Sequence, residues 1–217
     1  MKRLLMICLA ACFALLASCR HDTAFYERER MIIDRSDSLM YVTTIQADSC
    51  VLRTPSRDLS EKELRSPRLR SLCAKMLYTV RHPSQDGVGI AAPQVGLDLR
   101  LIWVQRFDKE GEPFECYANV HLDSLGGEIT HGPEGCLSVP PMRGLVPRYS
   151  HVDMSYTDPF TLEIRHEAVD GYTAIIFQHE CDHLDGCLYI DRADTVFVSE
   201  NWVAEREQFD YSRPEWF

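Results

Sequence analysis

Apolar positions along the chain recur with different periods in different stretches, and each period predicts a different element. Behind Lys2 and Arg3, residues 4–16 form an apolar run without a charge, followed by Ala17, Ser18 and Cys19. That run is short for a membrane span, and its basic start and small-residue end read as a secretory signal. Residues 20–44 have no sustained apolar period and are rich in charge, as in "YERER" and "DRSDS". They predict a tether with one short helix at most. Next, Ser66-Pro67 marks a helix start, and Leu69, Leu72, Cys73, Met76, Leu77 and Val80 follow at helical spacing.

The β-branched and aromatic content of "DLRLIWVQRF" predicts a strand, bounded by turn residues. "HVDMSYTDP" and "TLEIRHEAVD" alternate apolar and polar residues on either side of Asp158-Pro159, a hairpin pattern. In "GYTAIIFQHECDHL", residues 171–184, apolar residues surround the polar ones on most sides, as in a helix buried at the centre of a domain. Gly186 suits its end. Residues 193–217 are polar with scattered aromatics and read as a tail with no assigned element.

Composition bounds the function. The 217 residues, 45% hydrophobic, can bury one core of ordinary domain size. The formal net charge of -10 falls to about -12 without residues 1–18, which carry Lys2 and Arg3 and no acid. So acidic a chain is a poor partner for nucleic acid by charge alone. Of nine cysteines, Cys8 and Cys12 lie in the signal-like segment. Cys50, Cys73, Cys116, Cys181 and Cys187 have no framework spacing and read as core or free thiols.

The chemistry concentrates in "QHECDHLDG", residues 178–186. His179 and His183 lie four apart, on one helical face where both imidazoles can reach one metal ion, and Glu180 stands beside the first as a proton acceptor. A histidine pair packed in a core would look the same, and zinc peptidases share the spacing. A catalytic site needs a further donor. Cys136 in "HGPEGCLSVPPMRG" sits where flanking glycine exposes the backbone, although a lone cysteine is more often a small buried hydrophobe. In "DGVGIAAPQVG", glycines and alanines leave room for a ligand against the backbone, and Gln94 offers amide donors.

In this order, "GVGIAAPQ", "EGCLS" and "QHECDHLDG" resemble the three signature motifs of the peptide deformylases, and the likeness runs over residues 45–192 with "VLRTPSRDL" and "RGLVPR" included. The resemblance implies an α+β fold, with antiparallel sheets around a central metal-binding helix. It implies Cys136, His179 and His183 as metal ligands and Glu180 as general acid and base. Gln94 and the backbone N–H of Leu137 would form an oxyanion hole. The metal is expected to be Fe(2+), with Zn(2+) or Ni(2+) as alternatives. The substrate is expected to be an N-formylmethionyl peptide, whose formyl group leaves as formate. Gly89 with Gly87 would leave space only for a small acyl group, and Val88, Tyr172, Ile175 and Ile176 would line a methionine pocket. Arg143 would help to hold peptide. Asp182 is expected to orient a ligand or pair with a buried arginine, and Glu134 to anchor the cysteine loop.

The segment "LASC" also resembles a bacterial lipoprotein signal, implying residues 1–19 as a signal with Cys19 lipidated and the protein anchored in the cell envelope. Without a working signal the expectation is the cytoplasm. An exported deformylase would be separated from nascent chains. Two other functions compete: a zincin-type metallopeptidase, which needs a third ligand downstream, and a surface lipoprotein that binds metal or formyl-peptides without turnover.

Overall fold

The computed structural model describes residues 24–35 and 37–199. The signal-like segment with Cys19, and the tail from residue 200, lie outside the described residues. Five helices are described: α1 (Glu27–Ile33), α2 (Ser49–Arg53), α3 (Glu61–Leu64), α4 (Pro67–Val80) and α5 (Gly171–Leu184). The strands are β1 (Gly89–Ala91), β2 (Leu101–Gln105), β3 (Phe114–Gly135), β4 (Met142–Thr157), β5 (Ile164–Asp170) and β6 (Thr195–Val198). They form one antiparallel sheet in the order β1-β2-β3-β4-β5, with β6 paired to β4. No described helix is long and apolar enough to cross a membrane.

The predicted helices form for the reasons their sequences give. The Ser66 hydroxyl accepts from the Arg68 N–H at the start of α4, and Leu69, Leu72, Cys73, Met76 and Val80 are buried. In α5 the apolar surroundings translate into burial almost all round, from Thr173 to Leu184. Gly186 stands just past its end at φ +72, where a Cβ would meet the Arg53 carbonyl oxygen at 2.6 Å, so only glycine ends the helix here without strain. At the predicted hairpin, Asp158 Oδ1 accepts from the N–H groups of Phe160 and Thr161.

Three stretches differ from expectation. Residues 24–44 do not stand off as a tether: Phe25 and Ile33 are 2% and 0% exposed in the core that packs α1 and α4 on the sheet. The physical reason is that Phe25, Ile33 and Met40 turn inward although Tyr26 and Met31 face solvent, and Arg57 Nη2 ties Glu29 of α1 to Glu63 of α3 at 2.8 and 2.6 Å. The first part of the expected tail is β6, laid along Met142–Leu145. Lastly, β3 and β4 make a ribbon far longer than the predicted strand at 151, reaching from Ala118/Thr157 to Gly135/Arg143. The described cysteines are all free thiols.

Under α5, Arg106 is 1% exposed and bonds Asp108, Glu115, Glu167 and the Tyr117 hydroxyl. Tyr117 in turn packs edge-on against Phe177 of α5, with ring centroids 4.9 Å apart. Replacing Arg106 by leucine removes the buried charge that Asp108, Glu115 and Glu167 share and leaves Lys109 as the cation beside Glu115 and Glu167, with an expected loss of about 3 kcal/mol in denaturant unfolding. The bond from Arg106 holds the Asp108 carboxyl down at about 2. A depressed folded pKa stabilises above the unfolded value of about 4. That contribution is lost as pH falls through about 2. Unfolding curves taken at successive pH values should show this acid-side loss in the parent and a shallower one in Asp108→Asn.

Candidate active site

The β3–β4 ribbon ends in a tip, residues 136–141, and this tip carries Cys136 and Leu137 to the side of α5. Cys136 Sγ lies 3.1 Å from His183 Nε2. Ligating atoms of Cys136, His179 and His183 all fall within 4.8 Å of one another, the separation a single metal ion requires. Sequence distance is bridged by two elements only, the ribbon tip and one helix. The third donor comes from upstream, unlike the downstream ligand a zincin needs.

Charge holds these donors in place. His179 Nδ1 is 2.7 Å from Glu134 Oε2, which leaves Nε2 to face the other ligands. Arg148 Nε donates to Glu134 Oε1 at 2.7 Å, and Arg148 Nη1 to Asp182 Oδ2 at 2.6 Å. Arg192 closes the chain, donating to both oxygens of Asp182 at 2.8 and 2.7 Å. Burial would raise the Glu134 pKa, but His179 and Arg148 bring it down to about 2, so it stays a carboxylate. Burial likewise opposes ionisation of Cys136, and the two imidazoles outweigh it, bringing the thiol down to about 5. For His179, burial works against the charged ring, and its bonds to Cys136 and Glu134 hold its pKa well above the usual value. A thiolate and two imidazoles fit a divalent transition metal.

Glu180 is 4% exposed and its Oε2 has no hydrogen-bond partner among the described groups. Burial pushes its carboxyl up to about 7, against the pull of His179 and His183. Gly89 is its seat: a Cβ there would lie 2.4 Å from Glu180 Oε1. Gln94, in the 3-10 turn after β1, turns its Nε2 toward Cys136 Sγ at 3.5 Å and Ser138 Oγ at 3.3 Å, while its Oε1 accepts from the Ala91 N–H.

These groups open onto a cavity of about 520 Å³. Its wall includes Cys136, His179, Glu180, Gln94, Leu137, Val88, Gly89, Arg143, Tyr172, Ile175 and Ile176, so nearly every residue singled out in the sequence meets there. His183, 1% exposed, lies behind the wall. Tyr172 stands at the exposed mouth against Phe107, and Ile176 also belongs to the core under the sheet. Sequence reasoning gave no part to Arg148, or to Thr130, Gly132 and Pro133 of β3, which form one side of the cavity. The one available signal for Arg148 was its place at the end of "RGLVPR".

An α+β domain that brings a cysteine and a histidine pair around a buried glutamate, at the floor of a cavity, is a metal-dependent hydrolase by class. The chain belongs to the polypeptide deformylase family, whose model matches residues 41–197. It is 45% identical over 133 residues to peptide deformylase 2 of Bordetella bronchiseptica, covering 58% of this chain and 74% of that one. A peptide deformylase of Leptospira biflexa is 40% identical over 149 residues, covering 65% and 82%. Among solved structures, the class I type b peptide deformylase of Acinetobacter baumannii with Met-Ala-Ser bound matches with TM-score 0.64 and 33% identity, over 71% of this chain and 98% of that one. A Synechococcus elongatus peptide deformylase in complex with actinonin matches with TM-score 0.65 and 31% identity, over 74% and 84%.

Two substitutions test the geometry. Glu134→Ala should weaken metal binding about 10- to 100-fold in a chelator competition, because the His179 ring loses its orienting carboxylate. In Gly89→Ala the added methyl displaces the Glu180 carboxyl, and turnover should fall about 100-fold with metal content unchanged.

Proposed function

We propose that the chain removes the formyl group from N-formylmethionyl peptides, and that Cys136, His179 and His183 hold its metal with Glu180 as the acid and base. One observation carries the reading. The ribbon tip sets a thiol against two imidazoles beside a buried carboxylate whose Oε2 has no partner. The family match and the relative solved with Met-Ala-Ser support the substrate class.

A divalent ion in this site would supply Lewis acidity and lower the pKa of water. Glu180 takes the proton from the attacking water at its carboxylate. The oxygen bonds to the formyl carbon, the carbon–nitrogen bond breaks, and Glu180 returns the proton to the departing amine. Gln94 Nε2 and the Leu137 N–H donate to the oxygen that becomes negative, each worth roughly 3–4 kcal/mol. Gly87 and Gly89 keep the space at the carbon small. Val88, Ile175 and Ile176 receive the methionine side chain with Tyr172 over the mouth, and Arg143 holds the peptide beyond it. Fe(2+) is the metal we assign, with Zn(2+) or Ni(2+) as substitutes. Zinc suits an oxidising setting better, since Fe(2+) there would pass electrons to dioxygen and the peroxide formed would oxidise the Cys136 thiolate, whereas zinc has no such redox step.

The segment ending at Cys19 supports a second part of the proposal, a lipid anchor that places the domain in the cell envelope, where it acts on formyl-peptides outside the cytoplasm. In fractionated cells the full chain should follow the membranes, and Cys19→Ala should release it. A parent protein found soluble in the cytoplasm with its N-terminus intact would contradict the anchor.

For the reaction, the assay is formate release from formyl-Met-Ala-Ser by protein reconstituted without oxygen, separately with iron and with zinc. Turnover should fall about 10²- to 10⁴-fold in Glu180→Ala. Peptide fragments in place of formate would mark a peptidase, and metal uptake with no turnover a binding protein.

A further inference from the structure

The two proposed oxyanion donors lie on separate loops. Gln94 belongs to the turn after β1, and Leu137 to the ribbon tip between β3 and β4. Directly between the loops, among the described residues, the Gln94 amide reaches across to Cys136 Sγ at 3.5 Å and Ser138 Oγ at 3.3 Å, and both bonds end on side-chain atoms, which leaves the two backbones to be held by something else.

The segment 40–46 joins the two backbones. The Thr43 N–H donates to the Gln94 carbonyl oxygen at 2.7 Å, and two residues on the Ile45 N–H donates to the Ser138 carbonyl oxygen at 2.8 Å. Gln46 Nε2 adds a bond to the Pro140 carbonyl at 3.3 Å. Behind this stretch the Met40 N–H is held by Thr79 Oγ1 of α4 at 2.9 Å, and Thr43 is 6% exposed. One short piece of chain thus bonds the backbone of the Gln94 residue itself and that of the residue next to Leu137. Thr43 and Ile45 are two residues apart, and the Ala47 and Asp48 N–H groups close a turn back onto the Thr44 carbonyl between them at 3.0 Å, so the two bonds act as a gauge between the loops.

We infer that residues 40–46 are a positioning strap that sets the separation of Gln94 and Leu137 for the reacting carbonyl. The inference rests on the oxyanion assignment above. Neither Thr43 nor Ile45 is placed in contact with substrate; they act through the loops they bond. A displacement of about 1 Å at such donors is enough to cost about 10²-fold in rate.

The test uses the full chain. Thr43→Pro and Ile45→Pro each delete one strap N–H, and Gln46→Ala, at an exposed position, loses only the outer bond. Ile33→Ala serves as the control, a core truncation in α1 that lowers the melting temperature without touching a strap bond. All are measured for metal content, melting temperature, kcat and KM at a temperature where each is folded. The strap predicts a kcat loss of about 10- to 100-fold in the two proline variants and about threefold in Gln46→Ala, with KM within about threefold and metal content unchanged. Ile33→Ala should keep the parent kcat. A kcat loss that follows melting temperature alone, Ile33→Ala included, overturns the strap, as does full kcat in Gln46→Ala together with either folded proline variant. Gln94→Ala separates the two readings. If it keeps full kcat, the oxyanion assignment fails and the strap with it; if it loses kcat while the strap variants do not, the strap alone fails.

Discussion

The site depends on one buried guanidinium. Arg148, 4% exposed, faces Glu134 on β3 and Asp182 on α5, and so ties the ribbon that carries Cys136 to the helix that carries both histidines. A charge buried this deeply is costly unless every partner is present, and here each is. Glu134 spends its second oxygen on His179, and Asp182 spends the rest of its capacity on Arg192. With bonds to both elements, the guanidinium couples the position of the ribbon to that of the helix, and the three donors that these carry lie within 4.8 Å of one another.

Around that tie the rest of the domain reads as support. Arg106, Tyr117 and Phe177 fix the first half of α5 on the sheet, and Gly186 lets it stop against Arg53. The missing Cβ at Gly89 leaves the space that the Glu180 carboxyl fills, so one small residue in the cavity wall sets where the proposed base can lie. Burial that leaves Glu180 Oε2 without a partner would be a defect in a purely structural helix. At the floor of a cavity it is what a proton-transferring group needs.

Much of this was legible in the sequence, for identifiable reasons. α4 and α5 announce themselves because each buries a continuous set of side chains, so period and burial coincide. The three short motifs carried the site because backbone approach and metal ligation restrict residue choice locally. β3 was not legible. From His121 to Glu134 its side chains are largely exposed or half-exposed, no apolar alternation marks it, and pairing with β4 alone makes it a strand. Residues 24–44 looked like a tether because the buried face at Phe25, Glu29 and Ile33 has a glutamate at its centre while Tyr26 and Met31 are exposed, so no apolar period shows; β6 was read as tail because its four residues are all exposed. Arg148 was missed because its burial depends on partners 14 and 34 residues away, which no local pattern reveals.

The most direct test of the central claim, that ribbon tip and helix together hold the metal, is X-ray absorption at the metal edge of the zinc-loaded protein, compared with its Cys136→Ser variant. The account predicts one sulfur at about 2.3 Å and two imidazole nitrogens at about 2.0–2.1 Å in the parent, with the sulfur lost in the variant. A parent spectrum without sulfur, or one unchanged by the substitution, would contradict it.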